Sequence, residues 1–130
     1  MNVTSQRFAD ALLVKVAGRL DYDTSEAFGE QIARLLKGLE GEGEAMVLDL
    51  SALDYVSSSG LNALIVASRE AKTRRRRLYF AAPQPMVLEM FEISHLNLLV
   101  QVVPTVREAI AMVSSRAATA FDVQPPRLST

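Results

Sequence analysis

Three hydroxyls stand in a row at Ser57, Ser58 and Ser59, closed by Gly60 and followed by Leu61-Asn62-Ala63-Leu64. Serine is a favoured helix cap because its oxygen satisfies an orphan amide donor, and one serine suffices for that task. At least one hydroxyl is therefore left over at the tip of a helix. A surplus serine has two separable uses. As a nucleophile it would want glycine on both sides, in the pattern G-x-S-x-G, yet position 56 is Val and only Gly60 fits. It would also want a base, and the single histidine, His95, lies in Ile93-Ser94-His95-Leu96-Asn97, which reads as a helix end where an imidazole serves the helix dipole. As a phosphate acceptor the serine is better placed. Phosphoserine carries roughly −1.5 to −2 charges, which the amides at a helix N-terminus accommodate. A partner docked over the same tip would have to desolvate or repel that charge, so modification would switch binding and leave the fold intact.

Holding these hydroxyls at a tip requires a strand before them and a helix after them. Residues 45–50 form a continuous apolar run suited to a strand covered on both faces, residues 53–56 lead into the serine turn, and Leu61, Leu64, Ile65, Ser68 and Ala71 trace a helical stripe. Upstream, residues 3–8 and 12–17 read as a hairpin, with Gly18 ending its second strand. The run Asp21-Tyr22-Asp23-Thr24 then offers caps for a helix whose buried face is Phe28, Ile32, Leu35, Leu36 and Leu39. Glu26, three residues after Asp23, points to Asp23 as the cap and leaves Asp21 for the surface. Downstream, residues 78–82 form another strand ended by Pro83 and Pro85, Val87, Met90 and Phe91 a short helix, and residues 98–103 a last strand. Thr105 and Glu108 open a final helix carrying Ala109, Ile110 and Val113. The order ββαβαβαβα predicts one α/β domain over residues 1–116: a mixed, mainly parallel sheet with an antiparallel N-terminal edge strand, flanked by helices. Residues 117–130, with Pro125-Pro126 and few large apolar side chains, read as a flexible tail.

Composition sets limits on function. The chain has 130 residues, 49% hydrophobic and 22% charged, as one soluble domain would. Cysteine is absent, so disulfides, thiolate catalysis and cysteine-ligated metal are excluded, and a reducing, cytoplasmic setting is expected. No apolar run approaches a membrane span and the start does not read as an export leader, so membrane insertion is not expected. Residues 1–60 carry 5 Lys or Arg against 10 Asp or Glu, and residues 61–130 carry 9 against 5, a polarity that sequence alone cannot place in space. Lys72-Thr73-Arg74-Arg75-Arg76-Arg77 concentrates five cations after the second helix. Without interleaved aromatics it reads as a charged turn at a helix C-terminus more than as a nucleic-acid or lipid site. The chain is expected to be non-enzymatic, with no cofactor, no metal site and no direct nucleic-acid partner.

The segment from Asp49-Leu50-Ser51 through Tyr55-Val56-Ser57-Ser58-Ser59-Gly60-Leu61 resembles the signature of the STAS domain, the family of bacterial anti-sigma factor antagonists. Gly18-Arg19-Leu20-Asp21 and the stretch from Pro104-Thr105 to Ala109 resemble further motifs of that family, so the likeness spans about residues 3–115. It implies a partner-switching protein in the regulation of sigma-factor-dependent transcription and stress response. The unmodified form would bind an anti-sigma factor that is also a serine kinase; phosphorylation would release it; a metal-dependent serine phosphatase would reset it. The resemblance puts the phosphate on Ser58, makes Ser57, Ser59 and Gly60 the phospho-loop, and assigns Asp21, Asp23, Thr24 and Asn62 to the partner surface. Many members carry Asp where this chain has Ser57, whose hydroxyl is a second candidate acceptor. The alternative is a STAS subunit of a larger assembly, stressosome-like or part of a lipid-transport complex, with no phosphoswitch.

Overall fold

Strand-forming residues on either side of Ala9-Asp10 fold back on one another. β1 (Asn2–Phe8) and β2 (Ala11–Leu20) pair antiparallel with Phe8 opposite Ala11, and Ala9 makes the tight turn at φ 53°. The structure, a computed structural model, describes residues 1–124. β3 (Ala45–Asp49), buried along its whole length, lies parallel to β2 on one side and to β5 (Leu78–Ala81) on the other, and β6 (Gln101–Val103) closes the far edge. The main sheet order is β1-β2-β3-β5-β6. All pairings except the first are parallel, which is the mixed sheet with an antiparallel edge that the strand–helix alternation predicts.

Side chains along the central strands alternate between two cores, as the period of two requires. Leu12, Val14, Met46, Leu48 and Phe80 face the layer built by α1 (Tyr22–Lys37), α2 (Ser58–Thr73) and α3 (Pro85–Ile93), where Phe28, Ile32, Leu64 and Phe91 meet them. Ala11, Leu13, Ala45, Val47 and Tyr79 face the opposite layer of α4 (Val106–Val113) and α5 (Ser115–Val123), against Ile110, Val113 and Ala117. No helix among the described residues is long and apolar enough to cross a membrane.

Four expectations are corrected. β2 does not end at Gly18: that residue, at φ 105°, shifts the register, and the strand continues to Leu20. The extension pairs in parallel with a sixth strand, β4 (Leu53–Val56), which lies off the main sheet path. The last strand is shorter than 98–103, because Leu96–Leu98 form a 3₁₀ turn before β6. The segment after 116 is not a tail from 117 onward. Ser114 accepts from the Ala117 amide at 3.0 Å to cap α5, Ala117 is fully buried, and Phe121 packs edge-on against Phe8 with ring centroids 5.3 Å apart. Residues 125–130 of that expected tail lie outside the described residues.

The arginine run is divided by function. Arg76 donates to the carbonyls of Leu39 at 2.5 Å and Gly41 at 2.6 Å, and Arg77 to those of Gly43 at 3.1 Å, Met112 at 3.1 Å and Val113 at 3.2 Å. Two arginines thereby satisfy loop carbonyls and the orphan C-terminal carbonyls of α4. Arg74 pairs with Glu70 one turn back at 2.7 Å.

α5 is tied at its far end by Arg107, whose guanidinium donates twice to Asp122, at 3.0 and 2.9 Å. That hydrogen bond holds the Asp122 carboxyl below its ordinary value, so the pair's contribution is complete above the unfolded value and fades as pH falls through the lowered folded one. The heavier anchor is Phe121. Phe121→Ala is expected to lower unfolding free energy by about 1–2 kcal/mol, since a half-buried ring and one edge-on pair are lost. Urea denaturation measures this, and an unchanged midpoint would mean that α5 is not docked.

Candidate functional site

The main-chain carbonyl of Leu20 organises the site. Leu20 ends β2 beside β4, and its oxygen accepts from the Ser57 amide at 2.9 Å, which fixes where the chain leaves β4 and turns into α2. The helix then crosses the same carbonyl at Gly60. A Cβ there would lie 2.3 Å from the Leu20 oxygen and 2.9 Å from Val56 Cγ2, so only glycine admits this approach.

The three serines take three different environments. Ser57 is the N-cap: its backbone is extended, at φ −89° and ψ 177°, and its Oγ accepts from the Gly60 amide at 3.1 Å. Ser58 is the first residue of α2 and exposed, while Ser59 is half-buried. Among the described residues neither of the latter two hydroxyls has a hydrogen-bond partner. Two hydroxyls are thus surplus to the cap, and of these Ser58 is the one exposed to solvent at the positive end of a 16-residue helix.

α1 starts on the other side of Leu20, and its cap corrects the sequence reading. Asp21, not Asp23, is the N-cap: its carboxylate accepts from the amides of Asp23 at 3.1 Å and Thr24 at 3.3 Å, while Thr24 Oγ1 accepts from the Asp21 amide at 2.9 Å. Thr24 Oγ1 also donates to the Arg19 carbonyl at 2.9 Å, and Ser25 Oγ donates to the Asp21 carbonyl. Thr24 thus completes the capping box that Glu26 was expected to complete. Arg19 flanks the cap, 3.7 Å from the Asp21 carboxylate and 4.2 Å above the Tyr55 ring.

An open groove of about 960 Å³ runs between the N-terminal halves of α1 and α2. Ser58, Ser59 and Asn62 line one wall, and Asp23, Glu26 and Glu30 the other. The structure therefore brings together Asp23, Asn62 and the two free serines, and leaves Asp21 and Thr24 outside the groove as cap residues. Sequence reasoning missed Tyr22, 83% exposed, Glu26, Glu30 and Val66, 49% exposed, all of which line it. The signal was available: Tyr22, Glu26 and Glu30 recur every fourth residue on the face of α1 away from Phe28 and Ile32. The lining includes three carboxylates and no Lys, Arg or His. His95 stands elsewhere, at φ 61° between α3 and the 3₁₀ turn, and does not line the groove.

The roles of these residues separate by stability. Gly60→Ala is expected to cost about 2–4 kcal/mol, because either α2 or the end of β2 must retreat from the new methyl. Ser57→Ala should cost about 1 kcal/mol as a lost cap, and Ser58→Ala less than about 0.5 kcal/mol. Thermal or urea unfolding of the three variants checks the order; equal losses at positions 57 and 58 would refute the division between them.

A STAS domain family model matches residues 2–109. BtrV of Bordetella bronchiseptica, named as an anti-sigma factor antagonist, is 31% identical over 128 residues, covering 98% of this chain and 100% of that protein. Among solved structures, an anti-sigma factor antagonist STAS domain protein from Planctomyces limnophilus superposes with a TM-score of 0.76 at 14% identity, over 87% of this chain and 98% of that one. The Bacillus cell fate determinant SpoIIAA in its phosphorylated form superposes with a TM-score of 0.63 at 20% identity, over 87% and 100%. The two structural likenesses establish the fold, and the family model with the 31% identical relative establishes descent. The chain belongs to the STAS domain family, among its anti-sigma factor antagonists.

Proposed function

We propose that this antagonist is switched by phosphorylation of Ser58: unmodified, it binds an anti-sigma factor that is a serine kinase, and modified, it lets go. The observation that carries this reading is the free, exposed Ser58 hydroxyl at the α2 N-terminus, facing a groove whose other wall is three carboxylates. In the transfer, Ser58 Oγ gives up its proton and takes a phosphoryl group from ATP held by the kinase, with ADP leaving. Hydrolysis by a metal-dependent serine phosphatase returns the hydroxyl and inorganic phosphate.

Two physical features support the assignment to Ser58. Ser57 already holds the Gly60 amide, so a phosphoryl group on it would have to replace a cap, whereas Ser58 supports nothing. The groove lining supplies no cation to neutralise the new charge, so phosphate adds its roughly −1.5 to −2 charges beside Asp23, Glu26 and Glu30. A partner that seats on an acidic groove presents donors and cations spaced for these carboxylates. A phosphoryl group in the same space displaces it by bulk and by the desolvation it demands. The cytoplasm, where the kinase and its ATP are found, is the setting this requires.

The kinase is found by pull-down with Ser58→Ala, which should bind and resist phosphorylation, whereas Ser58→Asp should bind at least about tenfold more weakly. Fragment mass spectrometry of the protein from its own host should place phosphate on Ser58. Equal binding by both variants, or phosphate confined to Ser57, would overturn the switch as stated. Absence of phosphate in growth and stress alike would favour the unswitched assembly subunit.

A further inference from the structure

The charge asymmetry between the two halves of the sequence becomes an asymmetry along α2. The acidic groove lies over the helix's first half. A second groove, of about 300 Å³, lies at its last turn, against the segment that leads into β6. It is lined by Lys72, Arg75, Arg76 and Arg77, with no carboxylate, and its apolar wall is Leu99 and Val100. Leu98 and Leu99 are 77% and 63% exposed. Arg76 and Arg77 are committed to main-chain carbonyls, but among the described residues the side chains of Lys72 and Arg75 have no hydrogen bond or ion pair.

We propose that the protein associates head to tail with a second copy of itself, the Lys72–Arg75 end of one α2 seating in the acidic groove beside Ser58 of the next. Charge complementarity commits the occupant. One surface offers Asp23, Glu26 and Glu30 around exposed Tyr22 and Val66; the other offers two cations with unpaired side chains beside exposed Leu99. A 16-residue helix is about 24 Å long, more than two Debye lengths at physiological salt, so the two ends do not neutralise each other within one molecule. Between molecules they can. In the head-to-tail arrangement each molecule uses its basic turn on one neighbour and its acidic groove on another, so the contact is heterologous, and it propagates unless its rotation closes a ring. The copy seated in the groove covers Ser58, which makes self-association and docking of another partner mutually exclusive. This contact rests on the carboxylates and not on phosphorylation.

Sedimentation of the full-length, unphosphorylated protein tests it. The weight-average mass should rise at least about 1.5-fold as the concentration is raised toward about 1 mM at about 20 mM salt, and return to monomer at about 500 mM salt. Lys72→Gln with Arg75→Gln should be monomeric at low salt, and so should Asp23→Asn with Glu26→Gln and Glu30→Gln. Mixed, the two variants each keep one good surface, and they should form a 1:1 complex that grows no further, which also shows both to be folded. A wild-type chain that stays monomeric at low salt, an assembly that persists in either variant or at high salt, or variants that fail to associate when mixed would overturn the proposal. Ser58→Ala should assemble like wild type, so failure of the phosphoswitch and failure of this contact are read independently.

Discussion

One carbonyl oxygen, that of Leu20, decides where both helices of the groove begin. It receives the Ser57 amide on one side, and the chain carrying it runs directly into the Asp21 cap on the other. Because a peptide carbonyl buried at a strand end must be paired, the turn after β4 cannot drift along β2 without leaving that oxygen unsatisfied. Gly60 then sets the depth of the approach. The two N-termini are thereby locked side by side, and the residues of their first two turns face one another across a gap. Ser58 and Asp23 share a surface because both are counted from the same atom.

The serine turn was legible because its structure is local. A surplus of hydroxyls over caps, a glycine three residues after the first of them, and an apolar stripe beginning at Leu61 are features of consecutive residues, and each has one physical meaning. The cap of α1 was misread for the same reason of locality. Asp21 and Asp23 are equally good caps by type, and Glu26 matches the commoner capping box, so only the pairing of β2 through Leu20 tells which carboxylate falls at the helix boundary. With Asp23 and Glu26 both assigned to the cap, the acidic wall went unread although its spacing was in the sequence. Moving the cap to Asp21 frees Asp23 for the groove, in line with Glu26 and Glu30.

Elements held by long-range contacts were the ones the sequence hid. α5 owes its place to Ala117 under the sheet and to Phe121 against Phe8, residues more than a hundred positions apart, and alanines give almost no periodic signal of burial. β4 is four residues long and exists because the register shift at Gly18 carries β2 far enough to pair with it. The roles of Arg76 and Arg77 depend on carbonyls more than thirty residues away. In composition these two cannot be told from Arg74 and Arg75, yet they are structural pins and their neighbours are surface charge.

The division of labour among the three serines also bears on the Asp that the family resemblance leads one to expect where this chain has Ser57. Asp and Ser are near-equal N-caps, each accepting from an amide in the first turn, and in this chain Ser57 makes that bond to Gly60. An Asp at position 57 would be expected to keep that cap and to add one negative charge beside Ser58. With Ser57 in place, the carboxylates that share the groove with Ser58 are those of α1, Asp23, Glu26 and Glu30. Charges borne on a second helix act on the loop only while α1 and α2 keep their spacing. The approach at Gly60 therefore determines the electrostatics of the site as well as its shape.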